Sequence, residues 1–147
     1  MAWSALSLLA LLAAGAAMAA KTITTTSSMS FGRFVAAGAG TVKVGFTSAR
    51  SASGGVILLP SQAGAAAFTI SGHDNKITIL TLPPNGSVFL YAGANRMPVN
   101  DFSSSLPGNG VLLPGTQTVS VGATLQVAPN QTRGSYNGVF HVTVEFQ

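Results

Sequence analysis

From Phe140 to Gln147 the chain alternates without a break: Phe140, Val142, Val144 and Phe146 fall on one side, His141, Thr143, Glu145 and Gln147 on the other. A period of two is the signature of an extended strand with one face on a core and the other in water. A helix would scatter the same apolar residues around its surface. The alternation reaches the last residue, so the expected strand carries its pairing edge to the C-terminus, where another chain could add a strand.

The rest of the sequence reads the same way. No stretch sustains a 3.6-residue period with caps, and the punctuation is Gly, Pro and Asn. Strands are expected over 22–34, 41–47, 55–60, 65–71, 76–82, 87–91, 97–103, 110–113, 117–121, 123–128 and 134–147. Gly122, between two of these, reads as a bulge or a bend. About nine to eleven short strands at close spacing, with no helix, predict an all-β, antiparallel β-sandwich. No repeat of fixed length, linker or low-complexity block interrupts it, so one domain is expected.

The N-terminus predicts the compartment. Ala5 to Ala17 is almost wholly Ala and Leu, the length of a signal-peptide core, and Ala17-Met18-Ala19 supplies the small-x-small pattern of a cleavage site. Residues 1–19 are therefore expected to be a signal peptide and residues 20–147 the mature domain. The apolar run is shorter than the ~20 residues a spanning helix needs, so no membrane span is expected after cleavage. No Lys or Arg precedes the run. Either the amino terminus supplies the positive charge there, or the natural start lies upstream.

Composition then narrows the function. Only 7% of residues are charged and there is no Cys. The net charge of +4 and pI of about 10.2 reflect a shortage of acids. Lys21, Arg33, Lys43, Arg50, Lys76, Arg96 and Arg133 are scattered singly. With two Tyr, and the single Trp (Trp3) inside the leader, no basic and aromatic surface for nucleic acid is expected. Acid, base or metal chemistry near neutral pH could draw only on His73, His141, Asp74, Asp101 and Glu145. No G-x-S-x-G elbow is present, and Gly38-Ala39-Gly40 lacks the Lys-Ser/Thr of a phosphate loop. His73-Asp74 reads as a hairpin tip, and His141 and Glu145 as an exposed strand face. A non-enzymatic protein without cofactor or metal is expected.

Several motifs occur in order: Phe31-Gly32, Gly40-Thr41-Val42, Gly54-Gly55-Val56, Ala67-Phe68-Thr69-Ile70-Ser71-Gly72, Gly115-Thr116-Gln117, Val121-Gly122-Ala123-Thr124-Leu125-Gln126-Val127, and Gly134-Ser135-Tyr136-Asn137-Gly138. In this order they resemble a family of small secreted bacterial domains of unknown function, similar in turn to spore coat U and archaic chaperone–usher pilin-like domains. The resemblance covers nearly all of the mature chain. It implies an incomplete immunoglobulin-like sandwich whose missing strand is supplied by the N-terminal extension of the next subunit, after a periplasmic chaperone has filled the groove. Assembly would proceed through an outer-membrane usher, with passage through the periplasm to the cell surface or an extracellular filament. Phe140, Val142, Val144 and Phe146 would form part of the acceptor groove. Lys21, Thr22, Ile23, Thr24 and Thr25 would be the donor segment.

That segment departs from the pattern, because Ile23 is its one strong apolar residue and a donor strand presents several. A main-shaft subunit, a tip subunit that accepts without donating, and a self-sufficient monomer all stay open. The principal expectation is a fimbrial or surface-coat subunit joined to homo- or hetero-subunits by strand exchange. The alternative is a monomeric secreted carbohydrate- or ligand-binding module, its site drawn from Tyr91, Asn95, Arg96, Asn100, Asp101 and Phe102.

Overall fold

The computed structural model describes residues 3–14, 22–71, 78–106, 111–112 and 116–146. Among them there are eleven strands and no helix. They are β1 (Trp3–Ala14), β2 (Thr22–Ser27), β3 (Met29–Val44), β4 (Arg50–Leu58), β5 (Ala66–Ser71), β6 (Thr78–Thr81), β7 (Val88–Ala92), β8 (Asn95–Ser104), β9 (Val111–Leu112), β10 (Thr116–Val127) and β11 (Tyr136–Phe146). The pairing path is β2-β5-β10-β8-β7-β11-β1-β3-β4, and β10 also pairs with β3. The path thereby returns on itself through β10, β8, β7, β11, β1 and β3. Every pairing is antiparallel except β1 with β11. This is the all-β, antiparallel sandwich that the short strands and turn residues predict.

The core follows from the period-two patterns. In β5, Ala66, Phe68 and Ile70 are buried while Ala67, Thr69 and Ser71 are half-buried on the outer face. In β11, Tyr136, Phe140 and Val142 are fully buried and Val139 is exposed. Phe140 lies at the centre, 6.2 Å from the Phe68 ring in an edge-on contact and 5.0 Å from the Phe102 ring. Both separations fall in the range where aromatic pairs attract beyond their buried area.

Two expected boundaries differ. The expected strand over 22–34 breaks at Ser28, and its second part runs on through the Gly-rich stretch to Val44. The glycines there do not turn the chain. They accompany a register irregularity between Ala36 and Gly40 against β4, which lets one long strand pair with β1 at its start and β10 at its end. Gly122 behaves as read, with the pairing of β10 to β8 shifting register between Gly122 and Thr124. A Cβ there would sit 2.6 Å from the Gly45 carbonyl carbon, so only glycine lets β10 approach the end of β3.

No disulfide closes the sandwich. A buried tyrosine ties its last turn instead. The Tyr136 hydroxyl donates to the Thr132 carbonyl and accepts from Gln131 Nε2 at 3.0 Å. Gln131 Nε2 also reaches the Arg96 carbonyl at 3.3 Å. A tyrosine at the start of a late strand, bonded to backbone a few residues upstream, is the tyrosine corner of immunoglobulin-like sandwiches.

Candidate functional site

β3 and β11 flank a groove and do not pair with each other. β1 lies between them. Along β11 it runs parallel from Leu6↔Tyr136 through Ala10↔Phe140 and Leu12↔Val142 to Ala14↔Val144. Along β3 it runs antiparallel from Trp3↔Val35 to Leu8↔Met29. Both edges of one extended segment are thus engaged. Without β1 the circuit of strands opens at this point, and β3 and β11 each present a row of unpaired amides and carbonyls.

The β3 wall has a local irregularity. The register with β1 shifts between Leu6 and Ser7, opposite Gly32 and Ser30. Gly32 has a φ of 74°, a left-handed value that glycine adopts without strain. A Cβ on it would meet Ser61 Oγ at 2.6 Å and run into the Arg50 guanidinium. That guanidinium satisfies the carbonyls around the shift: Nη1 donates to Phe31 O at 3.0 Å and Arg33 O at 3.2 Å, and Nη2 to Leu59 O at 2.8 Å. Ser61 Oγ accepts from the Arg33 amide at 2.7 Å. Arg50 and Ser61 therefore clamp the wall from the side away from the groove partner.

The sequence-derived acceptor residues fall along the other wall. Phe140 and Val142 are fully buried, and the backbone of each has a partner in β1. Val144 pairs with Ala14, the last residue of β1. Phe146 lies beyond that point, paired with Thr78 of β6. The candidate donor segment is placed elsewhere. Lys21 lies outside the described residues, while Thr22, Ile23, Thr24 and Thr25 pair with Ser71, Ile70, Thr69 and Phe68 of β5. They form the strand at one end of the path, and the strand in the groove is the apolar run read as a leader. Sequence reasoning missed β1 because a continuous apolar run has no period of two and looks alike in a signal peptide and in a strand.

The alternative site residues fall into two groups: Tyr91 and Arg96 are cross-strand partners in the β7–β8 hairpin, with Asn95 at its tip, and Asn100, Asp101 and Phe102 lie further along β8. Asn100 Oδ1 accepts from the Gly86 amide at 3.0 Å. The Asp101 amide donates to Asn85 Oδ1 at 2.8 Å, and Asn85 Nδ2 donates to Asp101 Oδ1 at 3.2 Å. These two residues pin the β6–β7 turn. Phe102 packs on Phe140, the Arg96 guanidinium lies 4.4 Å from the Phe89 ring centre, Asn95 pairs with Ala92 at the tip of the β7–β8 hairpin, and Tyr91 is exposed. A cleft of about 320 Å³ runs beside β11, with Leu82, Pro83, Pro84, Val139, Phe140 and His141 among its walls. His73, Asp74 and Lys76 lie outside the described residues. Among the described residues no three of His, Cys, Asp and Glu gather to hold a metal ion, and no helix is long and apolar enough to cross a membrane.

The family whose profile matches the chain is a domain of unknown function (DUF4402), over residues 22–146. Among curated proteins none matches. The chain belongs to the DUF4402 family, and the matched span contains both groove walls while beginning after the strand that lies between them.

Proposed function

We propose that this chain is a non-enzymatic, secreted structural or adhesive subunit that assembles by β-strand complementation of the β3–β11 groove. One observation carries the reading: the circuit of paired strands closes through β1 alone on that side, and β1 is the segment that the sequence marks as a cleaved leader. Removal of the leader would leave two bare edges above Phe140 and Val142, both fully buried with β1 in place. Each large apolar side chain reburied returns roughly 1.5–3 kcal/mol, and main-chain hydrogen bonds fix the register of an incoming strand. A partner subunit is the natural source of such a strand, with a periplasmic chaperone as temporary occupant and an outer-membrane usher as the exit. The domain then functions at the cell surface, as a fimbrial or coat component.

The test is an SDS gel of the sheared cell-surface fraction, run unboiled beside a boiled sample and probed for this chain. A ladder that collapses to one band on boiling supports strand exchange between subunits. A single monomer band in both lanes refutes it.

A further inference from the structure

The outer face of the β7–β8 hairpin carries groups that the groove does not use. Tyr91 pairs with Arg96 across the hairpin and with Asn137 of β11 on its other side. Leu90 is fully buried, so its neighbours Phe89 and Tyr91 stand together on the opposite, outer face of β7. Their rings are 6.3 Å apart and tilted by 50°. Tyr91 is 48% exposed, and Val139, two residues on from Asn137, is 43% exposed. Arg96 supplies the polar part. Its guanidinium lies over the Phe89 ring, 4.4 Å from the centre, a contact that holds it flat and occupies one of its faces. Among the described residues this head group makes no hydrogen bond, since Gln131 bonds to the Arg96 carbonyl instead. Its N–H donors are left in a fixed fork, the geometry that takes a carboxylate with two parallel bonds. Asp101, further along β8, does not compete, because its carboxylate accepts from Asn85.

The surroundings narrow the ligand. β7 lies between β8 and β11, and β8 between β7 and β10, so neither offers a free edge to which a peptide backbone could add. A phosphate polymer is held by rows of Lys and Arg, and Arg96 is the one cation that β7 and β8 contain. What the face presents is an open phenol ring beside a single donor fork. A pyranose lays its C–H face on an aromatic ring, whose negative face attracts the C–H dipoles. A uronic acid adds one carboxylate to each such ring, which matches one guanidinium beside one exposed aromatic. Val139 also leads on to the cleft beside β11, where Ser87 and Thr143 set hydroxyls among apolar walls, and its volume of about 320 Å³ admits a further sugar ring.

We propose that this face binds acidic polysaccharide at its uronic-acid residues, Tyr91 stacking on the sugar ring and Arg96 pairing with the carboxylate. The inference is independent of strand exchange, because neither β7 nor β8 pairs with β1 or β3. Trigalacturonate is titrated into the full chain at low ionic strength, and the amide resonances of β7 and β8 are followed. Saturable shifts are expected. The methyl ester, which keeps the rings and loses the charge, is expected to bind at least about tenfold more weakly, as is tetraglutamate, which keeps the charge and lacks the rings. Arg96→Lys retains the charge without the fork, and Tyr91→Ala removes the stacking ring. With native far-UV circular dichroism, each is expected to weaken binding about fivefold or more. Lys43→Gln, which removes an exposed positive charge on β3, is expected to bind as the wild type does. Absence of saturable shifts in the wild-type chain overturns the proposal. So does methyl ester or tetraglutamate binding as tightly as trigalacturonate, unchanged affinity in folded Arg96→Lys or Tyr91→Ala, or an equal loss in Lys43→Gln.

Discussion

Replacing Phe140 by Ala tests the register of β11, on which the groove wall depends. Phe140 is fully buried, with its ring 6.2 Å from that of Phe68 and 5.0 Å from that of Phe102. Truncating a buried Phe costs about 3–5 kcal/mol, and the two aromatic pairs that this ring makes place it near 4–5 kcal/mol. Its neighbour Val139 is 43% exposed, so Val139→Ala should change stability by under about 1 kcal/mol. A domain of this size loses roughly 4 °C of Tm per kcal/mol, which predicts a fall of about 16 °C for Phe140→Ala and a few degrees for Val139→Ala. Urea unfolding of the full chain, followed by far-UV circular dichroism, measures both. The slope should be unchanged and the midpoint shifted. Equal losses in the two variants would refute the argument, because a one-residue slip of β11 moves every side chain to the opposite face. A loss below about 1 kcal/mol for Phe140→Ala would refute it as well, since no buried ring leaves so little behind.

Three further substitutions probe the frame. Tyr136→Phe removes the hydroxyl that joins Thr132 and Gln131 and should cost about 1–3 kcal/mol by urea unfolding, with faster proteolysis of the β10–β11 turn. Gly122→Val drives a side chain into the backbone at Val44 to Phe46 and should lower stability by at least about 1–3 kcal/mol, seen as a reduced melting temperature. Arg50→Met leaves the Phe31 and Leu59 carbonyls without that donor and should cost about 1.5–3 kcal/mol, with faster amide exchange in the first half of β3.

Period and punctuation made most strands legible. β5, β7 and β11 lie where alternation and turn residues put them, because each has one face on the core. Gly122 signalled the irregularity in β10, since a glycine inside a strand pattern marks close backbone approach. The Gly38-Ala39-Gly40 stretch misled, because glycine permits a turn and a kinked strand equally, and the choice rests on β4 and β10 alongside. The β11 wall beside β1 was visible as alternation. Its opposite wall in β3 was not, because the shift at Gly32 and the Arg50 clamp arise from contacts between residues far apart in the chain. The strand between the walls carried no strand period at all.

The two groove walls are far apart in chain order, β3 early and β11 after all the other strands described. A ribosome delivers them in that order, so the groove has no second side until every other strand of the sandwich has been made. Pairings between such distant segments form late and slowly, since the intervening chain must be ordered before the contact rewards it. During that interval β1, made before β3, can cover this edge, and without it the unpaired edge would invite the wrong partner. A chain built this way is most vulnerable to misassociation before β11 docks, and the strand that covers β3 first sets how long that exposure lasts.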